Sequence, residues 1–226
     1  MAIVSRPHNL LFLMAPRTGC TAVGRVLTTS LSGEFIPPED VLDDQGFFVV
    51  QRKHSTLAQL LAHGVLTNDE RRSLFAFTAI RNPFDSLLSL YTKKSTKYQP
   101  HVNRPDSWVH KAKGYVEDME YCRTHDFNQW IAARFEPGRL DRLRRRGRRG
   151  LYADWVEGVD FVMRFERLQE DFNEVLRRAG VDASLQIPTI NVTSRERDYR
   201  PYYSRASRRT VEYAFADELA RFNYRF

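Results

Sequence analysis

One stretch near the N-terminus, Asn9 to Leu31 (NLLFLMAPRTGCTAVGRVLTTSL), constrains the fold more than any other. It opens with an apolar run, Leu10 to Met14, closed by Ala15-Pro16. A run this short, ended by proline, predicts a buried strand rather than a helix. Arg17, Thr18, Gly19, Cys20 and Thr21 follow, and then Ala22, Val23, Val26, Leu27 and Leu31 recur at helical spacing. The order is therefore strand, tight polar turn, helix. A helix N-terminus presents unpaired N–H groups and a partial positive charge, both suited to an anion. Gly19 lets a ligand approach the backbone. Arg17 adds a planar cationic fork, and Thr18 and Thr21 add hydroxyl donors. The turn reads as a phosphate cradle. It is not the nucleoside-triphosphate loop GxxxxGK[ST], because it holds no Gly-Lys-Ser/Thr.

The same order recurs twice. Leu74 to Tyr91 (LFAFTAIRNPFDSLLSLY) predicts a buried strand ending at Arg81, then a helix with Pro83 in its first turn and Ser86 and Ser89 along it. Gly46 to Lys53 (GFFVVQRK) predicts a third apolar strand, followed by His54 and a helix capped by Ser55 or Thr56. Glu34 to Ile36 predicts a short strand stopped by Pro37-Pro38. In open α/β sheets ligands bind at the carboxyl ends of the strands, so Arg17, Arg81 and His54 are expected to converge there. Later elements are a helix from Asp126 to Phe135, a strand from Phe161 to Arg164, a helix from Leu168 to Ala179 closed by Gly180, and a last helix from Ser204 to Ala220. Strand–helix alternation predicts an α/β fold with a mainly parallel central sheet flanked by helices. At 226 residues the chain suits one domain, residues 1–226, with a full core.

Charge placement argues against one class of function. The net charge is +7, and residues 139–149 (RLDRLRRRGRR) hold seven Arg and one Asp, which leaves about +1 for everything else. An RNA-binding face would spread Lys and Arg over several elements, so this alternative is disfavoured and no nucleic-acid partner is expected. The Arg run reads first as a solvated face and second as a contact for an anionic acceptor. Metal-ligand spacing is absent, so no metal is expected. With Cys20 in the cradle and Cys122 alone, the two cysteines argue against a structural disulfide. The first apolar run is too short to span a bilayer and lacks a signal-peptide layout. If the chain is complete, a cytoplasmic protein without a membrane partner is the expectation.

PRTGCT (Pro16 to Thr21) resembles the 5′-phosphosulfate loop of the sulfotransferase superfamily, and IRNPFDSLLSLY (Ile80 to Tyr91) resembles its 3′-phosphate motif. RFERLQEDFNEVLRRAGV (Arg164 to Val181) and NVTSRERDYRPYY (Asn191 to Tyr203) are similar to the closing elements of the Golgi-type and bacterial, carbohydrate-like branch. The resemblance implies a P-loop-like sheet of about four or five parallel strands. It implies transfer of a sulfuryl group from 3′-phosphoadenylyl sulfate (PAPS) to an acceptor hydroxyl, of a carbohydrate or a small molecule, leaving adenosine 3′,5′-bisphosphate. It implies further that Arg17, Thr18, Gly19, Cys20, Thr21 and Ala22 hold the 5′ end of the donor, and that Arg81 and Ser89 hold its 3′ phosphate. In the family a loop before the last helix closes over the cofactor, which points to Arg195, Arg197 and Tyr199. His54, at a strand end, is the expected general base, with Glu34 and Glu39 in reserve, since some branches use Glu.

Between Ser95 and His125 no clean period is present, and the segment reads as loop with short helical pieces, rich in Lys, Tyr and Trp. Residues 95–150 are the least familiar part and are expected to cover the acceptor side. A P-loop kinase of a small metabolite is the nearest alternative. It would require a loop Lys and a strand-end Asp for Mg²⁺, neither of which is evident.

Overall fold

Leu10, Leu11, Phe12 and Leu13 are all buried. A strand apolar on both sides needs cover on both faces, the condition of a parallel α/β sheet rather than of a half-solvated antiparallel one. The computed structural model describes residues 2–138, 150–181, 185–190, 196 and 198–226. The Arg run 139–149, Arg195 and Arg197 lie outside the described residues. The chain packs as two compact units, Met1–Arg81 with Asp154–Val192 and Asn82–Ala153 with Thr193–Phe226.

Among the described residues the first unit holds every strand, β1 (Ala2–Ser5), β2 (Leu10–Leu13), β3 (Glu34–Ile36), β4 (Val41–Leu42), β5 (Phe48–Val50), β6 (Phe75–Ile80) and β7 (Phe161–Arg164). Five form the main sheet in the order β3-β1-β2-β6-β7. β2, β6 and β7 pair in parallel, with Leu13 opposite Thr78 and Ile80 opposite Arg164. β1 is antiparallel to both β2 and β3, so four of the five strands run one way. The fold is thus the expected α/β sheet flanked by helices, with one reversed strand added. Side chains alternate along β2. Leu10 and Phe12 face the helices Cys20–Ser30 and Leu168–Arg178, with Phe12 stacked on Phe77 at 4.9 Å between centroids. Leu11 and Leu13 face Leu57 and Leu60 of the helix Leu57–Ala62. Burying each such side chain contributes about 1.5–3 kcal/mol.

The segment expected as a third sheet strand departs from that reading. Phe48–Val50 pairs with Val41–Leu42 in a separate two-stranded sheet. Turn chemistry decides this. The Asp43 carboxylate accepts hydrogen bonds from the Gln45 and Phe47 amides, and Gly46 takes a φ of 82°, so the chain doubles back on itself. The next helix is capped by Thr56, whose hydroxyl accepts from the Gln59 amide while the Gln59 side chain accepts from the Thr56 amide.

The second unit is helical. Pro83–Thr92, Phe127–Phe135 and Arg205–Ala214 enclose Phe84, Leu87, Trp130, Tyr199 and Phe215. Tyr115–Thr124, read from sequence as irregular, is a regular helix. Its period was masked because a core position holds Asp118, which is buried, paired with Lys94 and bonded to the Trp130 indole N–H at 3.0 Å. Tyr115, the first residue of this helix, joins the same packing, with Lys94 over its ring at 4.1 Å. The last helix breaks after Ala214, where Phe215 turns into the core, and resumes over Ala216–Arg221. Among the described residues no helix is long and apolar enough to cross a membrane.

Candidate active site

The carboxyl ends of β2, β6 and β7 lie side by side, and each feeds a residue of the candidate site. After β2 the chain makes two left-handed steps, Arg17 at φ 68° and Gly19 at φ 75°. Glycine is required at the second for two reasons. The conformation itself disfavours a side chain. In addition, a Cβ there would stand 2.8 Å from Leu168 Cδ2 and 3.3 Å from the Phe165 ring. The helix Cys20–Ser30 starts at once, and the Ala22 N–H closes its first turn on the Gly19 carbonyl at 2.8 Å. The N–H groups of Gly19, Cys20 and Thr21 precede that first bond and have no helical acceptor.

The loop residues divide by use. Thr18 is buried, and its hydroxyl donates to the Ala15 carbonyl at 2.9 Å, so the hydroxyl expected to face a ligand braces the loop instead. The hydroxyl is short enough to reach back one turn, and a buried hydroxyl must find an acceptor. Cys20 and Ala22 point into the core, and burial pushes the Cys20 thiol up from its ordinary value. Thr21 stays half-buried.

Arg81 follows β6 directly. Its Nη1 donates to the Arg17 carbonyl at 3.2 Å, and its guanidinium lies over the Phe165 ring at 4.2 Å. The two strand-end arginines of the sequence are thus joined by a hydrogen bond.

His54 reaches the same edge although its strand belongs to the small sheet. Its Nδ1 lies 2.8 Å from the carbonyl of Met14, the residue after β2. A carbonyl only accepts, so Nδ1 carries the proton and the lone pair of the neutral ring is on Nε2. The ring keeps some surface to solvent, but its dense surroundings push its pKa down to about 3. Desolvation is the main cause, the positive charges of Lys53 and Arg17 add to it, and the bond to Met14 opposes it. The reserve base Glu34 opens β3, level with Val4 and Leu11 rather than with the strand ends that carry Arg17 and Arg81, and pairs with Arg6 at 3.5 Å.

A pH dependence of stability follows. Between pH 6.5 and 3 the unfolded chain protonates His54 and the folded one does not. Stability attributable to this group is therefore lost as pH falls through that window. One proton of difference corresponds to a slope of about 1.4 kcal/mol per pH unit. Denaturant unfolding of His54→Gln is expected to show a shallower loss of stability from pH 6.5 to 4 than the wild type. Parallel curves would show that His54 is not desolvated in the folded protein.

In the second unit, Ser86 bonds the Tyr152 hydroxyl, and Ser89 is fully buried in the helix Pro83–Thr92. Tyr199 is an interior residue there. It stacks on Phe84 at 6.1 Å, and its hydroxyl accepts from Asn82 Nδ2 and donates to the Arg225 carbonyl. Sequence reasoning missed Phe165, which follows β7 and touches both Arg81 and the space over Gly19. An aromatic residue directly after a third parallel strand was the available signal. Among the described residues no group of three or more His, Cys, Asp or Glu is arranged to hold a metal.

The family model described as "Sulfotransferase family" matches residues 1–224. The chain is 26% identical over 210 residues to carbohydrate sulfotransferase 11 of Rattus norvegicus, covering 87% of this chain and 57% of that protein. It is 25% identical over 210 residues to the protein of the same name from Mus musculus, with the same coverage. It is 24% identical over 228 residues to carbohydrate sulfotransferase 10 of Xenopus laevis, covering 92% of this chain and 62% of that protein. The chain thus spans about three fifths of the length of these relatives. No solved structure matches it at comparable stringency.

Proposed function

Because this chain belongs to the sulfotransferase family, we propose that it transfers a sulfuryl group from PAPS to a hydroxyl of a carbohydrate acceptor. The observation that carries the reading is the joined pair of strand-end arginines beside a glycine turn whose amides have no helical acceptor. PAPS carries anionic charge at two places, the 5′-phosphosulfate and the 3′ phosphate. Arg17 and the amides of Gly19, Cys20 and Thr21 suit the first, and Arg81 suits the second.

Sulfuryl transfer is an in-line displacement in which charge grows on the departing phosphate oxygen. Donors already fixed in place stabilise that charge without reorganising during the reaction. The Arg17 guanidinium and the loop amides supply this positive potential, so the scheme uses no metal. The acceptor hydroxyl is a weak nucleophile while it keeps its proton. His54 Nε2, neutral and holding its lone pair, takes that proton as the oxygen–sulfur bond forms. The carbohydrate class of the acceptor rests on the names of the relatives. An anionic acceptor would suit the Arg run 139–149.

Affinity for nucleotides tests the donor half. Adenosine 3′,5′-bisphosphate is expected to bind roughly 10- to 100-fold better than AMP, because a charge-assisted bond contributes about 1.5–3 kcal/mol. Arg81→Ala should remove most of that advantage. Equal affinity for the two nucleotides in calorimetry would end the assignment. ATP with Mg²⁺ and RNA serve as competitors for the kinase and RNA-binding readings. Incubation with PAPS and a panel of sugars, read by mass spectrometry for a sulfate-sized gain, tests the acceptor half.

A further inference from the structure

We infer that Phe165 is a positioning residue for the donor site, a claim that rests on the donor reading above and extends it to a side chain that need not touch the ligand. Phe165 is the first residue after β7, at the same sheet edge as Arg17 and Arg81. The Arg81 guanidinium lies over its ring at 4.2 Å, while its Cδ2 and Cε2 each stand 3.3 Å from the place a Gly19 Cβ would occupy. The same guanidinium donates through Nη1 to the Arg17 carbonyl. One aromatic ring therefore backs both halves of the site: the glycine turn by contact, and the second arginine by its π face.

The chemistry explains why an aromatic ring suits this place. Arginine is long, and a guanidinium that wandered would have to be ordered by the ligand at the ligand's expense. A ring face attracts the cation without consuming any of its five N–H groups, which lie at the guanidinium edge. The Arg17 carbonyl takes one of these and sets the rotation of the plane. An aliphatic residue would fill the same volume over Gly19 but would leave the cation unsupported. The aromatic character, beyond the bulk, is what the assignment concerns.

The test uses the whole chain, with adenosine 3′,5′-bisphosphate as probe in calorimetry. Phe165→Leu is expected to weaken binding about 2- to 30-fold, the range of a partly desolvated cation–π contact. Phe165→Tyr, which keeps the ring face, should stay close to wild type. On an Arg81→Ala background Phe165→Leu should add no further loss, because the arginine it supports is gone. An equal loss on both backgrounds, or none on either, would overturn the inference and leave the donor reading standing. A ligand-free measurement covers the case in which the leucine variant fails to fold. The Arg81 side-chain NMR signals of the wild type should be shifted upfield by the ring current, and an absent shift would sink the proposal. Failure of the wild type to bind the probe would remove the donor reading, and with it the purpose assigned to Phe165.

Discussion

Replacing His54 with alanine is expected to lower kcat by about 10²–10⁴-fold, the usual contribution of a general base. Affinity for adenosine 3′,5′-bisphosphate should change little, since that product of the donor carries no acceptor proton. The expectation rests on tautomer and place. The Met14 carbonyl holds the Nδ1 proton, which commits the lone pair to Nε2, and Met14 itself lies three residues before Arg17. Near-normal turnover in the variant would pass the role to Glu39 or another group. Glu34 is a poor heir, because it is exposed and ion-paired away from the strand ends that carry the arginines.

The depressed pKa of His54 gives this prediction a second edge. With a value of about 3 in the free protein, the ring is neutral throughout the range in which the enzyme would be assayed. The profile of kcat/KM reports groups of the free enzyme, so it should lack an acid limb from His54 near pH 6.5. A bound anionic donor offsets the positive charges of Lys53 and Arg17 that hold the pKa down, and so raises it. An acid limb should therefore stand at higher pH in kcat than in kcat/KM. The reverse order would mean that the group losing activity in acid is not His54.

How much of this was legible before the structure depends on whether the signal was local. The β2 turn and the β6 junction were readable because each packs its information into about twenty consecutive residues: an apolar run, a breaker, an arginine, and then helical spacing. Their meeting was readable from the rule that parallel strands present their carboxyl ends together. The Gly46–Lys53 strand was misassigned to the main sheet because its apolar content was weighed above the Asp43 turn that folds it back. β1 is four residues long and antiparallel, and too short a run to carry a period. The inward Thr18 hydroxyl and the Phe165 stack depend on distances between elements far apart in sequence, which no local pattern encodes. The Tyr115–Thr124 helix was hidden by a buried ion pair, whose charged members stand where a helix normally shows apolar residues.

Arg17→Gly should separate function from stability more sharply than any other change. Arg17 sits at φ 68°, a conformation that costs a residue with a side chain about 1–2 kcal/mol and costs glycine almost nothing. Glycine gives back about 0.5–1 kcal/mol through the greater freedom of the unfolded chain. These backbone terms by themselves leave the melting temperature unchanged or slightly raised. The hydrogen bond from Arg81 is to the backbone carbonyl of residue 17, so it survives the substitution. What disappears is the guanidinium assigned to the leaving phosphate, and removal of one such preorganised donor lowers kcat by about 10²–10³-fold. Arg17→Ala keeps the strained backbone, and should match the glycine variant in turnover while being less stable by about 1 kcal/mol. A glycine variant that lost stability together with activity would make Arg17 a structural residue. One that retained turnover would remove it from the chemistry.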